Sequence, residues 1–229
     1  LDLSSISVQP SDVIECSVTV SDGNGGVDTT IETVQVVNSA PSFTSNATIT
    51  PNVGVYTNTL LTCSATAEDP DDGVLTPTYE WTVNGVTTSS GSTYTVLASD
   101  TDVGDSIGCV ATVTDSDGEG ATSSDSVIVE NTVPNSPQIS LVPTSPKEGI
   151  DDLICNIDVA SIDIDDDIVG YHFDWYVNGN QYTGVVSTTN YTGDTIPSTE
   201  TNVGEDWECA VTPNDGHGNG STVQSNMVT

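Results

Sequence analysis

Between Cys63 and Cys109 apolar and polar residues alternate, with Trp81 lying between the two cysteines, and this stretch restricts the fold more than any other. Leu61, Cys63, Ala65 and Ala67 fall on one side, and Thr62, Ser64, Thr66 and Glu68 on the other. That is the period-2 pattern of a strand with one buried face. Tyr79, Trp81 and Val83 continue it, as do Cys109, Ala111 and Val113. Two cysteines and an indole therefore point inward from three separate strands. No segment carries an apolar stripe of helical period, so the chain reads as all-β.

The same unit recurs. Cys155 and Cys209 bracket Trp175, the segments WTVNG at 81 and WYVNG at 175 match closely, and Val103-Gly104 and Val203-Gly204 each stand six residues before their cysteine. A partial copy opens the chain, because Leu1 to Cys16 aligns without gaps on Tyr94 to Cys109. An internal repeat of this length signals an array of like domains. The expected division is 1–39, the second half of a domain (strands E to G); 40–133, a full domain; and 134–229, another. Asn38-Ser-Ala-Pro41 and Asn131-Thr-Val-Pro134 are read as short linkers, in which proline fixes one backbone angle. On this reading the sequence is a window on a longer array, and Cys16 would pair upstream of Leu1.

Charge narrows function. There are 34 acidic residues against one base, Lys147, for a formal net charge of −33. Phosphate backbones are bound by Lys and Arg, so a nucleic-acid role is excluded, and an anionic membrane surface would repel the chain. No apolar run is long enough to span a bilayer. Aromatic residues make up only 5% of the chain, so each core is thin and gains from a covalent tie.

The inward Cys–Trp–Cys arrangement, the Asp69-Pro-Asp-Asp-Gly73 run, the Trp-x-Val-Asn-Gly turns and the runs at 18–23, 113–118 and 211–216 resemble bacterial and archaeal extracellular Ig-like and PKD-like repeats. The position two residues before the second cysteine holds Ile14, Ile107 and Trp207, where antibody-type domains carry tyrosine. The resemblance implies tandem immunoglobulin-like Greek-key β-sandwiches with one disulfide per domain, Cys63 with Cys109 and Cys155 with Cys209. A zinc site is the alternative use of cysteines, but no C-x-x-C spacing is present. Disulfides in turn imply an oxidising compartment, outside the cell or on its surface.

Carboxylates supply the densest chemistry. In such a sandwich the B–C and F–G loops emerge at the same end. Asp69, Asp71 and Asp72 should then approach Asp115, Asp117 and Glu119, while Asp163, Asp165, Asp166 and Asp167 approach Asn214 and Asp215. Converging hard oxygens on loops suit Ca²⁺, which takes six to eight oxygen ligands. The plainer reading is that Asp and Gly are good turn formers with solvated side chains. Asp100, Asp102 and Asp105 are further acids expected at the opposite, E–F end of the second domain.

Other chemistry is thinner. His172, beside an inward Phe173, is expected to face solvent, and His217 lies in a glycine-rich turn with no ligand partner at metal spacing. No nucleophile elbow is present, and the paired acids sit on repeated turns with no aromatic sugar platform, so no enzyme activity is expected. Asn46, Asn190 and Asn219 open N-glycosylation sequons. The expected role is a structural segment of an extracellular repeat protein forming a stalk, fibre or filament, stiffened by calcium, whose partners are neighbouring copies of the repeat. The alternative is an adhesin module that recognises carbohydrate or a cell-surface protein through its apical loops.

Overall fold

The computed structural model describes residues 8–229. The first seven residues of the partial copy expected at 1–39 lie outside that range. The chain divides into two compact units. One comprises the chain as far as Val53 together with Leu60–Tyr94 and Ser106–Ile128; the other comprises Gly54–Thr59, Thr95–Asp105 and Val129–Thr229. Among the described residues no helix is long and apolar enough to cross a membrane.

In the first unit β1 (Val13–Ser21) and β2 (Val27–Gln35) form an antiparallel hairpin, paired from Val13 opposite Gln35 to Ser21 opposite Val27. Its turn is closed by Asp22, whose Oδ1 accepts from the N–H groups of Asn24 and Gly26. Next come β3 (Ser42–Thr50), β4 (Leu60–Asp69) and β5 (Gly73–Leu75), which form one sheet. β6 (Thr78–Val83), β7 (Val86–Ser90), β9 (Ser106–Thr114) and β10 (Gly120–Ile128) form a second in the order β10-β9-β6-β7, and β8 (Thr93–Thr95) pairs with β4. The Cys63–Cys109 disulfide ties β4 to β9. Trp81, fully buried, lies directly opposite Cys109 across the β6–β9 ladder and donates its indole N–H to the carbonyl of Gly91 at 2.8 Å.

The second unit builds the same sandwich. β11 (Gln138–Val142), β12 (Leu153–Val159) and β15 (Thr195–Ile196) make one sheet; β13 (Gly170–Val177), β14 (Asn180–Gln181), β16 (Trp207–Asn214) and β17 (Val223–Gln224) make the other, in the order β14-β13-β16-β17. The Cys155–Cys209 disulfide joins them, Trp175 pairs opposite Cys209, and its indole donates to the carbonyl of Gly193 at 2.8 Å. Leu141, Leu153, Phe173, Ile196 and Val211 close the core around the disulfide. Trp207 is inside as well, edge-on to Trp175 with ring centroids 6.4 Å apart. Period-2 alternation is what places these side chains: along β9 every second residue, from Ile107 to Val113, is buried.

The Asn-Gly turns behave as their chemistry demands. Asn84 and Gly85 adopt φ of 50° and 80°, Asn178 and Gly179 of 50° and 74°, the left-handed pair of a two-residue hairpin turn whose twist matches its strands. Each asparagine also accepts through Oδ1 from a backbone N–H where the neighbouring strand opens, that of Ser106 for β9 and that of Asp206 for β16. The structure adds short strands at β5, β7 and β14 that alternation alone did not separate.

Candidate cation sites at the acidic loops

Each acidic loop begins with an aspartate that closes its own turn. Asp69 Oδ1 accepts from the N–H groups of Asp71 (2.7 Å) and Asp72 (2.9 Å), and Asp163 Oδ1 accepts from that of Asp165 (2.8 Å). Aspartate is a natural turn former for this reason. Using one oxygen locally turns the other inward. Asp69 and Asp163 are only 3% and 6% exposed, and Oδ2 of each is buried with no hydrogen-bond donor.

The F–G turns follow the same rule. Asp115 Oδ1 accepts from the N–H groups of Asp117 and Glu119, and Asp215 Oδ1 from those of His217 and Gly218. Their second oxygens face the linkers: Asn38 Nδ2 donates to Asp115 Oδ2 at 2.9 Å, and Asn131 Nδ2 to Asp215 Oδ2 at 3.0 Å. The residue after each asparagine completes the arrangement, since the N–H of Ser39 donates to Asp71 Oδ2 (2.8 Å) and that of Thr132 to Asp165 Oδ2 (2.7 Å). Two carboxylate contacts therefore hold each linker, one from either loop.

The two loops differ at two positions, one of which changes the number of carboxylates. Asp163-Ile-Asp165-Asp166-Asp167 stands where the second domain has Asp69-Pro-Asp71-Asp72-Gly73. In the third domain one oxygen from each of Asp163, Asp165 and Asp167 lies within 4.8 Å of the other two, an arrangement able to hold a metal ion. Asp163 Oδ2, Asp165 Oδ1 and Asp167 Oδ2 are all buried without a donor. A buried polar atom left unpaired costs about 1–3 kcal/mol, more when charged, so these oxygens call for a partner. Electrostatics agree: burial, then the negative charges of Asp165, Asp215 and Asp167, push the Asp163 carboxyl above its ordinary range. Asp115 is held below that range, chiefly by the Asn38 amide. In Asp215 burial is outweighed by the bonds from Asn131, Gly218 and His217, and its carboxyl is held low as well.

The remaining acids read from the sequence take other places. Asp72 is exposed and accepts from both the N–H (2.7 Å) and the hydroxyl (2.9 Å) of Ser116, joining its loop to the F–G turn. Asp117 and Glu119 are exposed and contribute backbone N–H groups, while Asp166 is exposed at the turn with φ of 65°, outside the three-carboxylate group. Asn214 bonds Asn219. Asp100 accepts from the Ser99 hydroxyl and Asp105 from the N–H of Asp102, so both cap their own turns. His172 is exposed, 3.6 Å from Asp174, and Phe173 is buried. The linker asparagines were not legible as part of the site, although the recurrence of Asn-x-x-Pro at 38 and 131 was the available signal.

No protein-family model matches the chain, and no curated protein matches it by sequence. Solved structures do resemble it. A Ca²⁺-stabilised adhesin that helps an Antarctic bacterium reach out and bind ice is 15% identical, over 95% of this chain and 56% of its own, with a TM-score of 0.36. A 1.5-MDa bacterial ice-binding adhesin is 19% identical over 94% of this chain and 72% of its own, TM-score 0.36. Extracellular domains 3–5 of Drosophila OTK are 14% identical over 97% and 72%, TM-score 0.39. The chain thus spans little more than half the length of the first of these.

Proposed function

We propose that this chain is a structural segment of a long extracellular or cell-surface tandem Ig-like repeat protein, one that builds a stalk, fibre or filament and takes up calcium at its acidic loops. The observation that carries the reading is the duplicated linker arrangement: at 38–39 and at 131–132 an asparagine amide and the next N–H are held by the two aspartate loops in the same way. A linker gripped twice alike belongs to a protein in which spacing between repeats matters. The disulfides and the near absence of Lys and Arg support an exterior setting, since an oxidising medium preserves the first and the second leaves trypsin-like proteases almost nothing to cut. Oxygen donors alone, with three carboxylates in one group, favour calcium over zinc or copper. The expected partners are neighbouring copies of the same repeat.

Thermal unfolding of the full chain at fixed ionic strength tests this. A ligand present at a hundred times its Kd adds about 2.7 kcal/mol to the folded state. For a domain of this size that corresponds to a rise of roughly 10 °C or more in Tm, expected with millimolar Ca²⁺ and reversed by excess chelator. A shift no larger than matched Mg²⁺ gives would remove calcium from the reading and leave a disulfide-pinned acidic spacer.

A further inference from the structure

We infer that the linker residue Asn131 is itself a ligand of the cation held by Asp163, Asp165 and Asp167, and that Asn38 with Asp69 forms a weaker copy of that site. The inference rests on the calcium reading above and adds to it which residues bind and in what order.

The orientation of Asn131 is fixed by chemistry. An ionised carboxylate only accepts, so the group that Asn131 turns toward Asp215 Oδ2 must be its NH₂, and the amide oxygen must point the other way. That Oδ1 is shut off from solvent and has no donor. It belongs to one bonded set with the acidic group: Asn131 holds Asp215, Thr132 holds Asp165, and Asp165 holds Asp163. Asp163 Oδ2, Asp165 Oδ1, Asp167 Oδ2 and Asn131 Oδ1 are then four buried acceptors with no donor among them. A water molecule has two protons and cannot serve four acceptors, three of them on carboxylates. A hard cation can, with water completing its shell of six to eight oxygens.

The same logic gives the second domain a smaller site. Asn38 Oδ1 and Asp69 Oδ2 are again buried and unpartnered, and Asn38 Nδ2 is again committed to a carboxylate, Asp115. Gly73 replaces the third carboxylate, so fewer charges face the ion. Ligand charge count is a main determinant of calcium affinity. The third-domain site should therefore fill first.

Calorimetric titration of the full chain with CaCl₂ at pH 7.5 is the test. Wild type should show two unequal binding events. Asn131→Ala should weaken the tighter one at least tenfold and leave the other unchanged, whereas Asn38→Ala should do the reverse. Asn131→Asp supplies an oxygen but no amide donor, so it should keep the tighter event within about threefold of wild type. The inference is overturned if Asn131→Ala binds within twofold of wild type, or if Asn131→Asp loses as much affinity as alanine, which would reduce the residue to a hydrogen-bonding role. Absence of any binding by the wild type would instead overturn the calcium reading itself, and this inference with it.

Discussion

Replacing Cys155 and Cys209 together by alanine should lower the stability of the third domain by about 4 kcal/mol. The disulfide closes a loop of 54 residues, and in the chain-entropy model a loop of that length restricts the unfolded chain by roughly this much. Both sulfur-bearing residues are at most 1% exposed, so truncation also leaves a small cavity and the loss should not fall below the entropic figure. A domain of about a hundred residues is typically stable by roughly 5–15 kcal/mol; the variant would sit near the lower limit of folding. Urea unfolding followed by the fluorescence of Trp175 and Trp207 would show it, with the midpoint falling and the slope rising as the unfolded chain expands. A loss of stability under about 1 kcal/mol would mean that the packed indoles, and not the cross-link, hold the two sheets together.

Asp194→Ala should be comparably damaging, although nothing about this residue suggests a binding role. Asp194 is wholly buried, and its oxygens accept from the N–H groups of Thr189, Asn190 and Tyr191 and from the Thr195 hydroxyl, all at 2.7–2.8 Å. Alanine would strand three backbone donors, and about 3 kcal/mol or more should be lost. Asp194→Asn retains one acceptor oxygen and should lose less. The pH dependence separates the charge from the contacts. Burial raises the Asp194 pKa, but the bonds from Thr189, Tyr191, Asn190 and Thr195 outweigh it, leaving the carboxyl below its ordinary value. A group lowered in the folded state contributes stability above its unfolded pKa, near 3.9, and loses that contribution as pH falls through the folded value. Wild type should therefore lose its advantage over Asp194→Asn on acidification below about pH 4. An advantage that stays constant down to about pH 2 would show that shape, and not charge, is what the position requires.

Much of the frame was readable because it follows from periodicity and from turn chemistry. Alternation around Cys63, Trp81 and Cys109 is a local signal, and the burial along β4, β6 and β9 follows it, with Ala65 and Tyr79 half-buried and the other inward positions buried. Asn-Gly at 84 and 178 gave the hairpin turns for the same reason. The sites were legible only in part. Counting acids put Asp166 beside Asp167 on equal terms, but the loop turns left-handed at Asp166 and sends its side chain outward. Asp72 reads as a ligand and acts as a clamp on Ser116. Asn38 and Asn131 were hidden for the opposite reason: an uncharged residue near a proline looks like linker, and only its partners 77 and 84 residues away disclose its function. Asp194 likewise depends on a coil segment that no periodicity describes.

The placement of the disulfides also sets how far such a protein could stretch. If its ends were pulled, a sandwich could open, but the 46 residues from Cys63 to Cys109 and the 54 from Cys155 to Cys209 would stay out of the line of tension. At roughly 3.4 Å per extended residue this withholds about 150 Å and about 180 Å of contour length. Each domain would then yield only its flanking segments and refold from a pre-formed loop, so overload would lengthen the chain in short steps and leave both indole-packed centres linked.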